Sequence, residues 1–345
     1  VNALTLIDGI CVRRADAADE PRIEAFLAGH SGATPFHRFA WLRAVERGCG
    51  HVSHMLIAEA FGAISGCLPL THVRSRLFGS ALVSSGFAVG GGILASDPAS
   101  SERLAGAAVE LAAELGCPGI ELRGGDLPPG WQLSEGVYAG FVRALPSGED
   151  AILKSIPRKQ RAEVRRALGL GLEVTVHRDC ALHHGVYAES VRNLGTPVFP
   201  RALFEAVLAE FGEGADILTI GENGRPVASV LSLYHAGTVF PYWGGGTADA
   251  RRLRANELMY YELMRRAAER GCTRFDFGRS KLGTGAFAFK KNWGFEPEPL
   301  VYAVHGEARD TNPLSARYRL QVALWKKLPL ALANRLGPPI ARGLG

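Results

Sequence analysis

The two halves of this chain run through the same series of elements, and that repeat narrows the fold more than any other feature. Thr34-Pro35 precedes a helical run in the first half, and Thr196-Pro197 precedes one in the second, 162 residues later. "HVSHMLIAEAFGAISGCLPLTHV" (51–73) and "ADILTIGENGRPVASVLSLYHAG" (215–237) both read as strand, polar or glycine turn, strand. Gly90-Gly91-Gly92 returns as Gly244-Gly245-Gly246 after 154 residues. The helical stretches that follow, "SERLAGAAVELAAELGC" and "RRLRANELMYYELMRRAAERGC", each end on a Gly-Cys pair, 155 residues apart. Each then leads into a strand, Ile120-Glu121-Leu122 or Phe275-Asp276-Phe277. A nearly constant spacing over six elements in one order implies two copies of a single α/β unit, and 345 residues leave room for both.

Within a copy the order is helix, helix, strand, strand, strand, helix, strand. A strand, a crossover helix and a further strand place one parallel pair in an otherwise antiparallel sheet, so mixed sheets of the α/β (α+β) class are expected. Ala255, Met259, Leu263 and Ala267 recur every four residues while Arg251, Arg254, Arg265 and Arg266 lie elsewhere, which buries one side of that helix. Gly271 stands where a C-cap glycine belongs. This outline resembles the GNAT acyltransferase fold, present twice. The expected division is a first GNAT-like domain at 1–150, a second at 151–310 that opens with a basic junction helix (155–174), and a basic amphipathic C-terminal tail at 311–345.

Several function classes drop out. Six cysteines without a C-x-x-C pair suggest neither a zinc site nor a disulfide framework, and reduced thiols point to a cytoplasmic protein. Asp8 interrupts the first apolar run and Arg13 and Arg14 follow it, unlike a signal peptide. The uncharged windows 77–96 and 226–248 contain glycine triplets and short β-branched bursts, so they read as buried strands and turns. His183-His184 and the pair His51 and His54 lack ligand company, so no metal is expected. No G-x-S-x-G occurs, which argues against a serine hydrolase.

The chemistry concentrates in "FDFGRSKLGTGAFAFKKNWGFEP" (275–297). Gly278 and Gly283 have Walker A spacing, but Thr284-Gly285 follows where Lys and a hydroxyl residue would be needed. An open loop after a strand fits better, with backbone N–H groups, Arg279, Lys281 and the hydroxyls of Ser280 and Thr284 facing an anionic ligand. Acyl transfer to an amine needs an oxyanion stabiliser and a proton acceptor. Lys290 is the candidate for the first and Asp276 for the second, a salt-bridged or solvent-facing aspartate being the other reading of Asp276. Tyr242 either orients substrate or is a core aromatic. Arg158, Arg161 and Arg165 of the junction helix, with only Glu163 opposing, form either an anionic-ligand surface or a solvated face.

Two further stretches bear on donor and location. The crossover helix of the second copy begins Arg251-Arg252-Leu253-Arg254-Ala255-Asn256, without the glycines that usually hold the CoA pyrophosphate, although arginines could grip a diphosphate by charge. From 312 to 345 no residue is acidic. Arg317, Arg319, Lys326, Lys327, Arg335 and Arg342 there alternate with Leu320, Val322, Leu324, Trp325 and Leu328, with a break at Pro329. Such a segment either lies on the inner membrane face or folds onto the second domain.

Together the repeat, the junction "PRKQRAEVRRAL", "FDFGRS" and "AFKKNWGFEP" resemble the FemAB family of tandem-GNAT peptidyl and aminoacyl transferases. The tail "YRLQVALWKKLPLALANRLGPPI" is similar to the branch associated with exosortase (PEP-CTERM) systems. The resemblance implies transfer of an amino acid from aminoacyl-tRNA to an amine on a lipid-linked or nucleotide-linked sugar precursor. It also places Phe289-Lys290, with Trp293-Gly294 downstream, at the acceptor and transfer site. No cofactor is implied; aminoacyl-tRNA or acyl-CoA would be a co-substrate. The helical arm that some members use for tRNA has no counterpart here. The expected function is N-acyl or aminoacyl transfer onto an envelope or exopolysaccharide precursor. The alternatives are an acyl-CoA-dependent N-acyltransferase and a catalytically silent ligand-binding accessory of polymer export.

Overall fold

The computed structural model describes residues 9–309 and 318–345; Asp8 and the first residues of the tail, Arg317 among them, lie outside the described residues. Two compact units divide the chain. The first comprises Val1–Glu135, Leu300–Thr311 and Arg342–Gly345; the second comprises Gly136–Pro299 and Asn312–Ala341.

The first unit contains β1 (Ile10–Arg14), α1 (Glu20–Gly29), α2 (Phe39–Cys49), β2 (Val52–Ala60), β3 (Ala63–Ser75), β4 (Gly79–Ser84), β5 (Leu94–Ala95), α3 (Pro98–Glu114) and β6 (Gly119–Arg123). Its strands lie in the order β1-β2-β3-β4-β6, with β5 paired to β3. Every neighbouring pair is antiparallel except β4 and β6, which run parallel with Leu82 opposite Ile120 and Val83 opposite Glu121. Helix α3 supplies the crossover that a parallel pair requires. Its N-terminus is capped by Asp97, whose carboxylate accepts from the Ser100 N–H, and Leu104, Ala108 and Leu111 face the core. Strand β7 (Gln132–Gly140) carries the chain out of this unit.

The second unit repeats the plan. It contains β8 (Val142–Ala144), α4 (Glu149–Ser155), α5 (Arg158–Leu168), β9 (Glu173–His177), α6 (Cys180–Leu194), α7 (Arg201–Phe211), β10 (Ala215–Glu222), β11 (Arg225–His235) and β12 (Thr238–Gly246). It continues with α8 (Ala250–Leu253), α9 (Ala255–Glu269), β13 (Arg274–Asp276), β14 (Ser280–Lys281) and α10 (Gly285–Asn292). Its sheet runs β8-β13-β12-β11-β10-β9, antiparallel except for β12 beside β13. The stripe read from the sequence is the buried side of α9: Ala255, Met259, Leu263 and Ala267 are completely buried. Two mixed sheets are therefore present, as the repeat implied.

Each copy also has a leading strand, β1 or β9, that the pattern did not reveal. Arg13 and Arg14 break the alternation in one, and β9 is an edge strand whose Val174 and Val176 are exposed. The closing strands are exchanged between the copies. Strand β8 precedes the second copy's repeat and pairs with β13, while β15 (Glu298–Gly306) follows that repeat and pairs with β6, Tyr302 opposite Arg123. Compactness therefore cuts the chain at other points than 150/151 and 310/311.

The windows 77–96 and 226–248 hold β4 with β5 and β11 with β12, and among the described residues no helix is long and apolar enough to cross a membrane. All six cysteines are unpaired, and burial pushes the thiols of Cys49 and Cys67 up to about 12. The tail forms α11 (Arg319–Trp325) and α12 (Leu330–Ala341). Helix α12 packs on the second unit: Ala333, Gly337 and Ala341 are buried, and Gly337 lies against Val198 so closely that a Cβ there would be 3.0 Å from its backbone nitrogen. The other side of the tail stays exposed, with Leu320 at 70% and Leu324 at 58%.

Candidate active site

In the second unit two neighbouring strands part beyond a short contact. Strands β12 and β13 share only two residue pairs, Thr238 with Arg274 and Val239 with Phe275, although β12 continues to Gly246. The ladder with β11 slips at the same place: Leu231 faces Trp243 and Ser232 faces Pro241, which leaves Tyr242 as the extra residue of a bulge. Tyr242 is half-buried there, edge-on to Trp243 at 4.8 Å. The glycines after it admit helices: a Cβ at Gly245 would lie 2.3 Å from Ser190 Oγ, and one at Gly246 would lie 2.4 Å from Ala250 Cβ. In the first unit the corresponding gap is filled by backbone. Gly92 N–H donates to Arg123 O at 3.1 Å, Asp126 N–H donates to Ile93 O at 2.9 Å, and a Cβ on Gly92 would be 1.7 Å from Gly124 O.

Beyond β13 the chain turns at Gly278, whose φ of 67° is in the left-handed region. Phe275 and Phe277 are buried, and Asp276 between them accepts from Gly278 N–H at 2.8 Å. Among the described residues Asp276 makes no salt bridge. Burial raises its carboxyl above the ordinary carboxylate range, with the Gly278 N–H and the charge of Lys290 pulling the other way. Lys290, on α10, folds back over this turn. Its Nζ donates to Gly278 O at 3.1 Å and to Arg279 O at 2.8 Å, and it lies 5.3 Å and 5.5 Å from the ring centres of Phe141 and Phe277. Burial brings the Lys290 amine down to about 7, opposed by Asp276 and assisted by Arg279. Lys291 is exposed.

The remaining candidates separate by what already holds them. Arg279 is half-buried, with its guanidinium over the Tyr138 ring at 4.7 Å. Ser280 is buried and its hydroxyl has no hydrogen-bond partner among the described residues; Lys281 sits opposite Tyr138 in β14. Thr284 was expected to offer its hydroxyl to a ligand, but the hydroxyl donates to Lys281 O at 2.8 Å and accepts from Phe287 N–H, capping α10. Trp293 was expected to line the site; it is completely buried, under Phe277, Phe289 and Tyr260, and belongs to the floor of the core. Phe289 is only partly buried in that cluster. Arg158 and Arg165 of α5 are exposed, whereas Arg161 is turned inward and caps α4 through Ile156 O and Lys154 O. Helix α5 begins beside the loop, since Pro157 Cγ would be 3.0 Å from a Cβ on Gly294.

Three residues that the sequence reading passed over help to shape the site: Tyr138 under Arg279, Phe141 under Lys290, and Arg143. The Arg143 guanidinium donates to Trp293 O at 3.0 Å and Ser155 O at 3.3 Å and lies over the Phe295 ring. An arginine between Val142 and Ala144 in a short strand was the available signal for it. Two of the three crossover arginines are committed to carboxylates, Arg254 to Glu163 and Arg252 to Glu222 at 2.9 Å, while Arg251 is exposed. Among the described residues no cluster of His, Cys, Asp or Glu could hold a metal ion.

Residues 155–291 match a family model described as an acetyltransferase (GNAT) domain, and on that match the chain is an acyltransferase. No curated protein matches it in sequence. Among solved structures it is similar to FemX, with a TM-score of 0.66 and 14% identity over 84% of this chain and 96% of that one. It is also similar to a tandem GNAT protein from the clavulanic acid biosynthesis pathway, with a TM-score of 0.54 and 13% identity over 86% and 98% of the two chains. The C-terminal domain of a putative lysylphosphatidylglycerol synthetase from Agrobacterium fabrum matches with a TM-score of 0.54 and 14% identity over 90% and 97%.

The lowered pKa of Lys290 has a measurable consequence for stability. Between about 7 and the ordinary lysine value of 10.5 the unfolded chain holds a proton that the folded chain has released. This group's contribution therefore favours folding increasingly as pH rises through that window, and its full cost is felt below about 7. Denaturant melts of wild type and Lys290→Met at pH 7 and pH 9 check this: wild type should gain on the variant at the higher pH. A difference that is flat or shrinks would show that the amine is not buried in this way.

Proposed function

We propose that the chain is a FemAB-like N-acyl or aminoacyl transferase that forms an amide on an envelope or exopolysaccharide precursor, with the second unit carrying the chemistry. The observation behind this is the Lys290 amine, buried within electrostatic reach of Asp276 and held over the turn that follows β13. In the reaction the acceptor amine attacks the donor's carbonyl carbon. A C–N bond forms, the donor's ester or thioester bond breaks, and the amine proton passes to Asp276, whose raised pKa suits a proton acceptor and which returns the proton to the departing hydroxyl or thiol. Lys290 has three N–H donors, two of them held by Gly278 O and Arg279 O. The third is directed to the oxyanion of the tetrahedral intermediate. Arg279, Ser280 and Lys281 receive the anionic part of the precursor, Tyr242 and Phe289 the acyl group, and exposed Arg158 and Arg165 the outer part of a charged ligand.

Activity of two alanine variants tests the assignment, read as modified precursor by mass spectrometry of cells with and without the protein. Lys290→Ala should lose ~10²–10³ in turnover at unchanged fold. Lys291→Ala should stay within about threefold, because an exposed charge contributes little. Full activity of Lys290→Ala removes the lysine from the mechanism.

Aminoacyl-tRNA is the favoured donor, because no glycine marks a diphosphate cradle where α9 begins and two of the three arginines there, Arg252 and Arg254, are paired with Glu222 and Glu163. The second reading, acyl-CoA-dependent N-acyl transfer, is favoured by the acetyltransferase description of the matching domain. Calorimetric titration with acetyl-CoA decides between them. Weak or absent heat is expected, and a micromolar Kd, about −8 kcal/mol, would replace aminoacyl-tRNA with CoA as the donor.

The tail supports a position at the inner membrane face and, through its resemblance, the link to exosortase systems. Leu320, Leu324, Leu332 and Leu336 are exposed alongside Arg319, Lys326, Lys327 and Arg335, an outer side suited to anionic lipid while α12 stays docked. Full-length protein should float with anionic liposomes, and a variant with all four leucines changed to serine should not. Equal and negligible flotation of the two would end the membrane reading.

A further inference from the structure

The sheet of the second unit ends on a strand whose outer edge lacks the usual protection. The leading strand of each repeat is an end strand, β1 in one sheet and β9 in the other, and each is five residues long. The outer edge of an end strand presents a row of backbone N–H and C=O groups that another strand can pair with. Charged side chains, proline, a bulge or a cover normally blunt it. Strand β1 is blunted by charge: Arg13 forms salt bridges with Asp19 at 2.6 Å and Glu59 at 2.8 Å, and Arg14 pairs with Glu114. Strand β9 is different. Its sequence, Glu173-Val174-Thr175-Val176-His177, holds no proline, lysine or arginine. Its register against β10 runs without a bulge from Glu173 opposite Gly221 to His177 opposite Ile217. Among the described residues no strand pairs with its other side. Val174 and Val176 are each 42% exposed, and Leu168 and Leu170, just before the strand, are exposed as well.

The order of residues in β9 selects what fits there. Side chains alternate between the faces of a strand, so Val174 and Val176 share one face and Glu173, Thr175 and His177 the other. An antiparallel pair centred on Thr175 sets Val174 of one chain opposite Val176 of the other, on both sides of the centre, and covers valines that now face water. On the other face it sets Thr175 opposite itself and Glu173 opposite His177, with Arg178 next along the chain. Glu173 accepts from Gly224 N–H at 3.0 Å, and Arg178 donates to the carbonyls of Gly212 and Ala215 at 2.8 and 2.7 Å. Among the described residues neither forms a salt bridge, so the acidic end of one strand meets a basic end that has no carboxylate of its own. An in-register parallel pair would instead set Glu173 against Glu173. The strand is therefore complementary to itself about a two-fold axis, as a contact between identical chains requires.

We infer that β9 takes a second copy of this chain: two molecules join through antiparallel β9 strands, and two six-stranded sheets become one of twelve strands. None of the residues assigned to the transfer chemistry lies in β9, so the contact and that chemistry can fail separately.

Sedimentation velocity of the full chain over a series of micromolar concentrations tests this. Wild type should pass from monomer to dimer as concentration rises. Val174→Lys and Val176→Glu should each weaken the dimer at least about tenfold, because each sets an unpaired charge against a valine. Mixed in equal amounts, the two variants should recover it. Position 174 of one chain faces 176 of the other, so lysine then meets glutamate on one side of the axis and valine meets valine on the other. That recovery belongs to this register alone and shows at the same time that both variants are folded. Thr175→Arg, which sets two arginines against each other on the axis, should be monomeric by itself and serves if either valine variant melts abnormally. A wild type that stays monomeric throughout overturns the contact, as does a dimer that survives Val174→Lys or Thr175→Arg. A mixture of well-folded variants that stays monomeric overturns it too. A dimer abolished by the four-leucine tail variant but kept by Val174→Lys puts association on the tail and overturns it equally.

Discussion

The constraint on which both units depend is a parallel strand contact only two residue pairs long. Leu82 and Val83 meet Ile120 and Glu121 in one sheet, and Thr238 and Val239 meet Arg274 and Phe275 in the other. Parallel neighbours cannot be joined by a hairpin, so each contact demands a crossover helix, and α3 and α9 are those helices. Their buried faces then account for much of the two cores. Because the contact is so short, the strands part beyond it, and what occupies the gap decides what a copy can do. In the first unit glycines let backbone meet backbone. In the second, Tyr242 forms a bulge, and the glycines after it admit Ser190 of α6 and Ala250 of α8.

Lys290 illustrates how one buried group serves two ends. Its ammonium ties down the carbonyls of Gly278 and Arg279, which fixes the turn after β13, and the same burial brings its pKa near neutrality. Aromatic rings at 5.3 Å and 5.5 Å give the charge some compensation, and among the described residues no carboxylate forms a salt bridge with it. A lysine that only held the loop would do so at less cost nearer solvent.

Much of this architecture was legible in the sequence because a repeat is self-checking: each copy confirms the period read from the other. The stripe on α9 and the Gly-Cys ends of the crossover helices followed directly. Lys290 and Asp276 could be proposed together because they sit in one continuous stretch. Thr284, Arg161 and Trp293 show the limit of that reading. Their types suit a ligand, but whether a hydroxyl or guanidinium is already engaged depends on carbonyls such as Lys281 O and Ile156 O, which carry no sequence signal. Tyr138, Phe141 and Arg143 escaped notice because they come from a segment that the repeat assigns to the other copy.

The exchange of closing strands also sets an order in time. Strand β6 ends at Arg123, but its neighbour β15 reaches only from Glu298 to Gly306, with the whole second copy between them. On a ribosome adding about 5–20 residues per second, the open edge of β6 waits roughly ten to forty seconds for its partner. The second sheet never waits in this way, since β8 has left the ribosome before β13 appears. The copy that carries the candidate chemistry can therefore complete its sheet first, while the earlier-made copy remains an unfinished edge that chaperones or neighbouring chains can reach.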